Sequence, residues 1–249
     1  MKKAVATPSS RNLPLRQDAG GRLDGSAICH LDFFAGFERI ACDEIARSSH
    51  VVHLRKCEAA FAQDEQPCNV LMVLNGRLKS IHATPEGNRV AIRLMGPGDL
   101  VGHVYLFREK PYAATATAVS DTILLAWPKL LFEKLMSKYP PLGLAVVRNL
   151  AKFLEEADAR LREAVTERVE RRIAHAILRL VRQAGRRVDG GIEISFPITR
   201  HDIALMSGAN LYTVSRILSA WEEHGIINGG RQHLVLCDSH ALVKVADEE

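Results

Sequence analysis

The chain has 249 residues, a net charge of +4 and a composition that is 47% hydrophobic and 25% charged. These values are typical of a soluble globular protein. No apolar run approaches the roughly 20 residues that a membrane helix requires, which excludes a membrane-spanning protein. The net charge is too small to identify a nucleic-acid partner, so the distribution of charge along the chain carries more information.

Residues 1–26 are rich in Pro, Gly, Ser and charged residues and poor in hydrophobic ones. This composition predicts a disordered leader, and the segment lacks the continuous apolar core of a secretory signal. The five cysteines of the chain are an odd number at wide spacing, which favours free thiols in a reducing compartment over a disulfide framework. We therefore expect a cytoplasmic protein without membrane contact.

Residues 27–138 have the pattern of one β-rich domain, which we call the sensor domain. The mixed three-to-four spacing of hydrophobic residues predicts a helix from Ile28 to Arg47. Short β-type runs follow, among them NVLMVLNG, NRVAIRLM and TILLAW, and turn signals such as TPEGN and GPGD separate them. Many short strands at regular intervals predict an antiparallel barrel or jelly roll.

Residues 139–166 predict one long helix, since Pro140 and Pro141 suit a first helical turn. Apolar residues then recur at a spacing close to four-three and form a narrow stripe, consisting of Val146, Leu150, Leu154, Ala157 and Leu161. Such a stripe is typical of a coiled-coil seam, and two-fold dimers are the commonest oligomers. We predict a homodimer joined along this helix; the alternative is a helix that packs only on its own barrel.

Residues 167–249, which we call the reader domain, combine a helix, a short strand in IEISFPI and a helical pair. Thr199 is predicted to cap the first helix of the pair and Asn210 the second, with Gly208 at the turn between them. A small residue four positions before this glycine and aliphatic residues six and nine positions after it suit helix packing, namely Ala204, Val214 and Ile217. These offsets predict a helix-turn-helix, and GIINGGRQHLVLCD predicts a β-wing.

The outward residues of the second helix suit the major groove of DNA. Arg216 can donate two parallel hydrogen bonds to guanine, and Tyr212 could stack on a sugar or contact a thymine methyl group. The predicted DNA-binding residues are Thr199, Arg200, Asn210, Leu211, Tyr212, Thr213, Ser215 and Arg216, with Arg231 in the turn of the wing. Basic and acidic residues are equal in number in the reader domain, so affinity must come from oriented patches and fall with salt.

With barrel, long helix and winged helix-turn-helix in this order, the chain resembles the CRP/FNR family of bacterial transcription regulators. The resemblance covers about residues 28–246 and is most specific in GPGDLVGHVYLFREKPYAATATAVSDT and ITRHDIALMSGANLYTVSRILSAWEEHGII. It implies an α+β fold with an N-terminal double-stranded β-helix (jelly-roll) sensor barrel, a long dimerisation helix and a C-terminal winged helix-turn-helix. It further implies a homodimer that binds a palindromic operator and recruits or blocks RNA polymerase.

The sequence of the recognition helix is similar to that of the FNR-like and denitrification-regulator branch. This similarity suggests oxygen or nitric oxide as the signal. Tyr212 stands where this branch and the CRP branch usually carry a glutamate. In CRP-type members a glutamate follows the pocket glycine and an Arg-Ser pair precedes the next strand, whereas this chain has His103, Tyr112 and Ala113 there. Cyclic AMP is therefore not the expected effector, although Arg108 still offers a cation nearby. The predicted effector pocket consists of Gly102, His103, Arg108, Tyr112 and Ala113.

Two metal-containing cofactors known in the family, an iron–sulfur cluster and haem, each require particular ligands. The cysteines at positions 29, 42, 57 and 68 lack the close spacing that an FNR-type iron–sulfur cluster needs. Haem has several candidate ligands, and the sequence singles out none of them: Cys29, His30, His50, His53, His82 and His103. The sequence thus identifies no cofactor.

Two other classes of function are alternatives for the same domains. The first is a ligand-binding barrel whose winged domain makes only protein contacts, which predicts no salt-dependent DNA affinity. The second is an enzyme, which is not expected because the chain has no nucleophile motif, P-loop or dinucleotide glycine fingerprint.

Overall fold

The computed structural model describes residues 23–84 and 89–247. Residues 1–22 of the predicted leader and most of the predicted TPEGN turn lie outside them. None of the described helices is both long enough and apolar enough to cross a membrane.

The N-terminal region forms short helical pieces rather than the single helix predicted from Ile28 to Arg47. They are α1 (Ser26–Cys29), a 3-10 turn (Asp32–Phe34) and α2 (Arg39–Arg47). The chain becomes extended at Leu31, and Gly36 has a φ of +82°, so regular helix is interrupted twice. The hydrophobic residues that produced the helical pattern still pack together against the barrel, as Ile28, Phe34 and Ile45 show.

The sensor domain is a jelly roll of two antiparallel four-stranded sheets, as predicted. Their strand orders are β1-β8-β3-β6 and β2-β7-β4-β5. The strands are β1 (His50–Leu54), β2 (Ala59–Phe61), β3 (Asn69–Asn75), β4 (Leu78–Ala83), β5 (Arg89–Met95), β6 (Leu100–Val101), β7 (Thr115–Ala118) and β8 (Thr122–Pro128), with α3 (His103–Phe107) between β6 and β7. Trp127 is fully buried and donates a hydrogen bond to the carbonyl of Ile45 at 2.9 Å, which fixes α2 to the barrel.

Two helices leave the barrel: α4 (Lys129–Lys138) and the 27-residue α5 (Pro140–Thr166). Proline occupies the first turn of α5, where its missing N–H has no helical partner. The first two turns of α5 pack on the sensor domain through Leu142 and Ala145.

The reader domain contains four helices and a four-stranded antiparallel sheet of order β11-β12-β10-β9 in its described part. The helices are α6 (Val169–Ala184), α7 (Arg200–Ser207), α8 (Leu211–Glu223) and α9 (Ser239–Asp247). The strands are β9 (Gly185–Val188), β10 (Gly191–Ile194), β11 (Ile227–Gly230) and β12 (His233–Leu236). Leu94 and Val119 of the sensor domain join the apolar core of the reader domain, so the two domains pack against each other.

Candidate nucleic-acid interface and sensor pocket

The helical pair α7–α8 has the geometry that the sequence predicted for a helix-turn-helix. Gly208 follows α7 with a φ of +63°, a left-handed conformation that glycine adopts without strain. Ala204 and Val214 are buried between the helices, and Ile217 packs beside them. The small residue and the two aliphatic residues therefore occupy the packing positions that their spacing indicated.

Both predicted helix caps are confirmed. The Thr199 hydroxyl accepts a hydrogen bond from the backbone N–H of Asp202 at 3.0 Å, and the Asp202 carboxylate accepts one from the backbone N–H of Thr199. The side chain of Asn210 accepts a hydrogen bond from the backbone N–H of Thr213 at 2.8 Å. These caps satisfy N–H groups that would otherwise lack partners, and they determine where α7 and α8 begin.

The first turns of α8 present side chains to solvent. Tyr212 is 79% exposed, and Leu211 and Arg216 are also exposed. Arg216 forms no hydrogen bond or ion pair with the residues that the structure describes, so its guanidinium is available to a ligand. Thr213 and Ser215 are half-buried at the edges of the same surface.

Arg200, one of the predicted DNA-binding residues, makes contacts within the protein. Its guanidinium donates hydrogen bonds to both carboxylate oxygens of Glu222 at 3.0 Å, and to the Ser215 carbonyl and the Ser219 hydroxyl at 3.1 Å. A guanidinium fork on a carboxylate is a strong, oriented contact. Arg200 therefore joins α7 to α8, and a phosphate contact would require this arrangement to open.

The wing is the hairpin of β11 and β12, and Arg231 is exposed in its turn. Gln232, the next turn residue, has a φ of +62° and accepts a hydrogen bond at 3.4 Å from Lys56 of the sensor domain. The tip of the wing thus lies beside the barrel.

The predicted effector pocket is filled by aromatic side chains. Tyr112 is buried and stacks on Phe61 with 3.7 Å between ring centroids and 12° between planes. Gly102 lies directly against this stack, since a Cβ placed on it would come within 2.4 Å of the Tyr112 ring. Arg108 and Ala113, the other two residues of the predicted pocket, are exposed to solvent.

His103 is the buried polar residue of this region, with 3% of its surface exposed. Burial lowers its pKa to about 4, the nearby positive charge of Arg93 adds to the effect, and the Leu100 carbonyl only partly opposes it. Neither ring nitrogen completes a well-formed hydrogen bond within the described part of the chain. His103 is therefore neutral at pH 7.

The pocket differs from the CRP-type pattern, because His103 follows Gly102 and the Phe61–Tyr112 stack occupies the space beside this glycine. Among residues 23–84 and 89–247, no group of three or more His, Cys, Asp or Glu side chains could hold a metal ion. The five cysteines are free thiols, and those at positions 57 and 68 are exposed. An iron–sulfur cluster therefore does not fit these residues.

The haem candidates differ in their surroundings. His30 contacts the Ser26 carbonyl and His82 contacts the Ala113 carbonyl, while Cys29 lies against the buried Cys42. His53 is exposed and His50 is half-buried. His103 alone of the six combines burial with two unpartnered ring nitrogens in the described structure, and the Tyr112 ring lies against the neighbouring Gly102.

The long helix α5 exposes an apolar stripe beyond its first turns. The exposed large residues are Leu144, Val147, Leu150, Leu154, Leu161 and Val165. Val146, the first residue of the predicted seam, instead packs on the sensor core because it follows Leu142 by one turn on the inner face. Val147 takes its place and gives a three-four-three-four spacing with Leu150, Leu154, the half-buried Ala157 and Leu161.

A cleft of about 660 Å³ between the sensor domain, α5 and α6 was not predicted. Its lining residues come from stretches of the chain that are far apart in the sequence, so sequence spacing could not reveal it. Lys152 pairs with Asp99 at 3.4 Å and Arg179 pairs with Glu163 at 2.5 Å across it. Its charges are thus largely paired within the protein.

Comparisons with known proteins identify both domains. Residues 51–139 match the model of the cyclic nucleotide-binding domain, and residues 171–245 match that of the Crp-like helix-turn-helix domain. The cyclic AMP receptor protein of Thermus thermophilus is 30% identical over 186 residues, which cover 75% of this chain and 83% of that protein. The chain belongs to the CRP/FNR family of transcription regulators. As a member of this family it is a DNA-binding regulator with a ligand-sensing domain, and it is not an enzyme.

Other relatives agree with this assignment over most of the chain. The transcriptional activator protein FnrL of Cereibacter sphaeroides is 27% identical over 233 residues, which cover 89% of this CRP/FNR protein and 91% of FnrL. The structure of FixK2 from Bradyrhizobium japonicum superposes with a TM-score of 0.69 at 24% identity, covering 81% of this chain and 98% of FixK2. The latter likeness concerns the fold alone.

Proposed function

We propose that this CRP/FNR regulator acts as a homodimer that binds a two-fold-symmetric DNA operator and responds to a signal other than cyclic AMP. The observation that carries the dimer is the exposed apolar stripe of α5, in which Leu154 is 67% exposed. Fully burying one leucine stabilises by about 1.5–3 kcal/mol, so an uncovered stripe of this size is unfavourable in water.

A second copy of the same helix is the partner that this stripe fits. The three-four spacing matches a coiled-coil seam, and in a two-fold interface each side chain meets the same stripe on the other subunit. The dimer would present two copies of α8, and two recognition helices read half-sites about 34–36 Å apart. Contact with RNA polymerase and location in the cytoplasm follow as proposals from the same role.

The DNA surface that we propose is the exposed first part of α8, with Arg216 as the guanine contact and Arg231 of the wing at the backbone. The capping residues Thr199 and Asn210 and the half-buried Thr213 and Ser215 border this surface. For the sensor domain, the Phe61–Tyr112 stack supports a signal other than cyclic AMP. Oxygen and nitric oxide are the candidate signals that the sequence of the recognition helix suggests.

The dimer is tested by sedimentation equilibrium of Leu154→Asp, which places a charge in the seam. Leu130→Asp is the matched control, because Leu130 is 71% exposed on α4, away from the seam. We expect the wild type and the control to be dimers and Leu154→Asp to be a monomer. A wild-type monomer, or an unaffected Leu154→Asp dimer, contradicts the proposed interface.

The operator is tested by selecting DNA ligands from a randomised pool and measuring their affinity by gel shift over a range of salt concentrations. We expect a palindromic consensus whose binding weakens with salt. Arg216→Ala should lose about 1–3 kcal/mol and relax the preference at one base pair. Arg39→Ala removes an exposed arginine from the sensor domain and should bind like the wild type. A protein-contact module without DNA binding would select no consensus.

A further inference from the structure

Arg172 of α6 holds three backbone carbonyl groups from two parts of the protein. Its Nε donates to the Ser207 carbonyl at 2.9 Å, and one terminal nitrogen donates to the Glu167 carbonyl at 3.1 Å. The other terminal nitrogen reaches the Gly208 carbonyl at 3.4 Å. The guanidinium group is planar and rigid, so its three contacts fix the relative positions of these carbonyls.

These carbonyl groups lie at the two joints that determine the orientation of the recognition helix α8 relative to α5. Glu167 follows the last residue of α5 and is the joint between the long helix and the reader domain. Ser207 ends α7, and Gly208 forms the left-handed turn before α8. Arg172 therefore links the end of the long helix directly to the turn that aims the recognition helix.

The neighbouring charged residues make different connections. Arg171 reaches the Glu167 carboxylate at 3.8 Å and the Ala246 carbonyl of α9 at 3.0 Å. Arg179 pairs with Glu163 and so joins α6 to α5. Glu170 accepts a hydrogen bond from Trp221, which lies five residues beyond Arg216 on α8. None of these four contacts involves the turn at Gly208.

We propose that Arg172 is a positioning residue that sets the angle of α8 relative to α5, and thereby the separation of the two recognition helices in the dimer. This inference rests on the proposed function. A dimer reads two half-sites at once only if the separation of its recognition helices matches the helical repeat of DNA. A loosened joint leaves each helix able to bind its half-site but removes the preference for one spacing.

Arg172→Lys tests this role, because lysine keeps the charge but cannot form the planar fork. Arg171→Lys is the matched control on the adjacent residue. Affinity is measured for the selected palindrome, for versions lengthened or shortened by one or two base pairs, and for an isolated half-site. Arg172→Gln, which lacks the charge, serves as a second variant, and thermal unfolding is recorded for all proteins.

We expect Arg172→Lys to bind the best palindrome about tenfold more weakly, a size typical of changes in coupling, and to bind palindromes of altered spacing with nearly equal affinity. Its affinity for the half-site should stay within about twofold of the wild type, and Arg171→Lys should keep the sharp spacing preference. An unchanged spacing profile in both Arg172 variants overturns the inference, as does an equal loss on the half-site. A wild-type protein without any spacing preference instead contradicts the proposed dimeric function.

Discussion

Lys79 on strand β4 and Asp202 in the first turn of α7 form an ion pair between the sensor and reader domains, with 2.9 Å between Nζ and Oδ1. The other oxygen of Asp202 is the acceptor of the α7 capping box. Only 8% of the Asp202 side chain and 28% of the Lys79 side chain are exposed. One carboxylate thus serves both the helix cap and the contact between domains.

Lys79→Met should lower the free energy of unfolding by about 2 kcal/mol at pH 7. Removing the lysine leaves the buried Asp202 carboxylate without an opposite charge beside it. Because Lys79 is partly exposed, the loss of stability should be smaller than for a fully buried ion pair. Urea unfolding measures the loss. Lys56→Met removes the more exposed contact to the wing at Gln232 and should change stability by less than about 0.5 kcal/mol.

The loss caused by Lys79→Met should depend on pH. Burial alone would raise the pKa of Asp202, but hydrogen bonds from Thr199 and Lys79 outweigh it and hold the pKa below 3.8. A carboxyl group whose folded pKa is below its unfolded pKa contributes its stability above the unfolded value and loses it in more acidic solution. The difference between variant and wild type should therefore shrink below about pH 4. A constant difference down to pH 2.5 contradicts this assignment.

Cyclic AMP should not bind the sensor domain. The Tyr112 ring occupies the space beside Gly102, and His103, Tyr112 and Ala113 stand where a CRP-type pocket has its glutamate and its Arg-Ser pair. Isothermal titration with cyclic AMP should give no saturable heat, for the wild type and for Tyr112→Ala alike, because removal of the ring opens space without adding a cation. The cyclic AMP receptor protein of Thermus thermophilus is the positive control. Saturable binding by the wild type would falsify this description of the pocket.

His103 should make the protein less stable in mild acid. Its pKa in the folded protein is about 4, below the value of 6.5 for an unperturbed histidine. Between these values the unfolded chain binds a proton that the folded protein does not, so stability falls as pH decreases from 6.5 to 4. Over this window His103→Gln should lose less stability than the wild type, by about 3 kcal/mol at most.

The measurement is urea unfolding at several pH values between 7 and 4. His240→Gln is the matched control, because this histidine is exposed on α9 and its replacement should leave the pH dependence of stability as it is in the wild type. Parallel pH profiles for His103→Gln and the wild type would show that His103 is protonated in the folded protein.

Local chemistry explains which parts of the structure were predictable. The caps at Thr199 and Asn210 and the turn at Gly208 depend on residues within a few positions of each other, so the sequence contains the whole signal. The jelly roll was predictable for a related reason, since each short strand and the turn after it have their own local pattern.

Features that depend on distant residues could not be predicted. Arg200 pairs with Glu222 through the packing of two helices, and Tyr112 meets Phe61 only after the barrel closes. In the predicted seam of α5, Val147 and not Val146 is the exposed residue, and the sequence could not decide between them because both are equally apolar. Which of them faces outward is decided by where the sensor domain touches the helix. In each case tertiary contact, rather than residue type, determines the role.

Tyr212 and Arg216 lie one turn apart on the exposed side of α8, so both side chains can enter the same groove. Leu211 extends the apolar surface around Tyr212, and a thymine methyl group is the apolar contact that the major groove offers. We predict that Tyr212 contacts a thymine within about two base pairs of the guanine read by Arg216, because one helical turn advances about 5.4 Å.

The prediction is tested by replacing each thymine of the selected operator with uracil, which removes only the methyl group. At one position the wild type should lose affinity by about fivefold, the loss expected for one apolar contact of roughly 1 kcal/mol. Tyr212→Ala should bind the two DNAs equally, and Tyr212→Phe should discriminate like the wild type because it keeps the ring. If uracil weakens Tyr212→Ala and the wild type by the same factor at every position, Tyr212 does not read the methyl group.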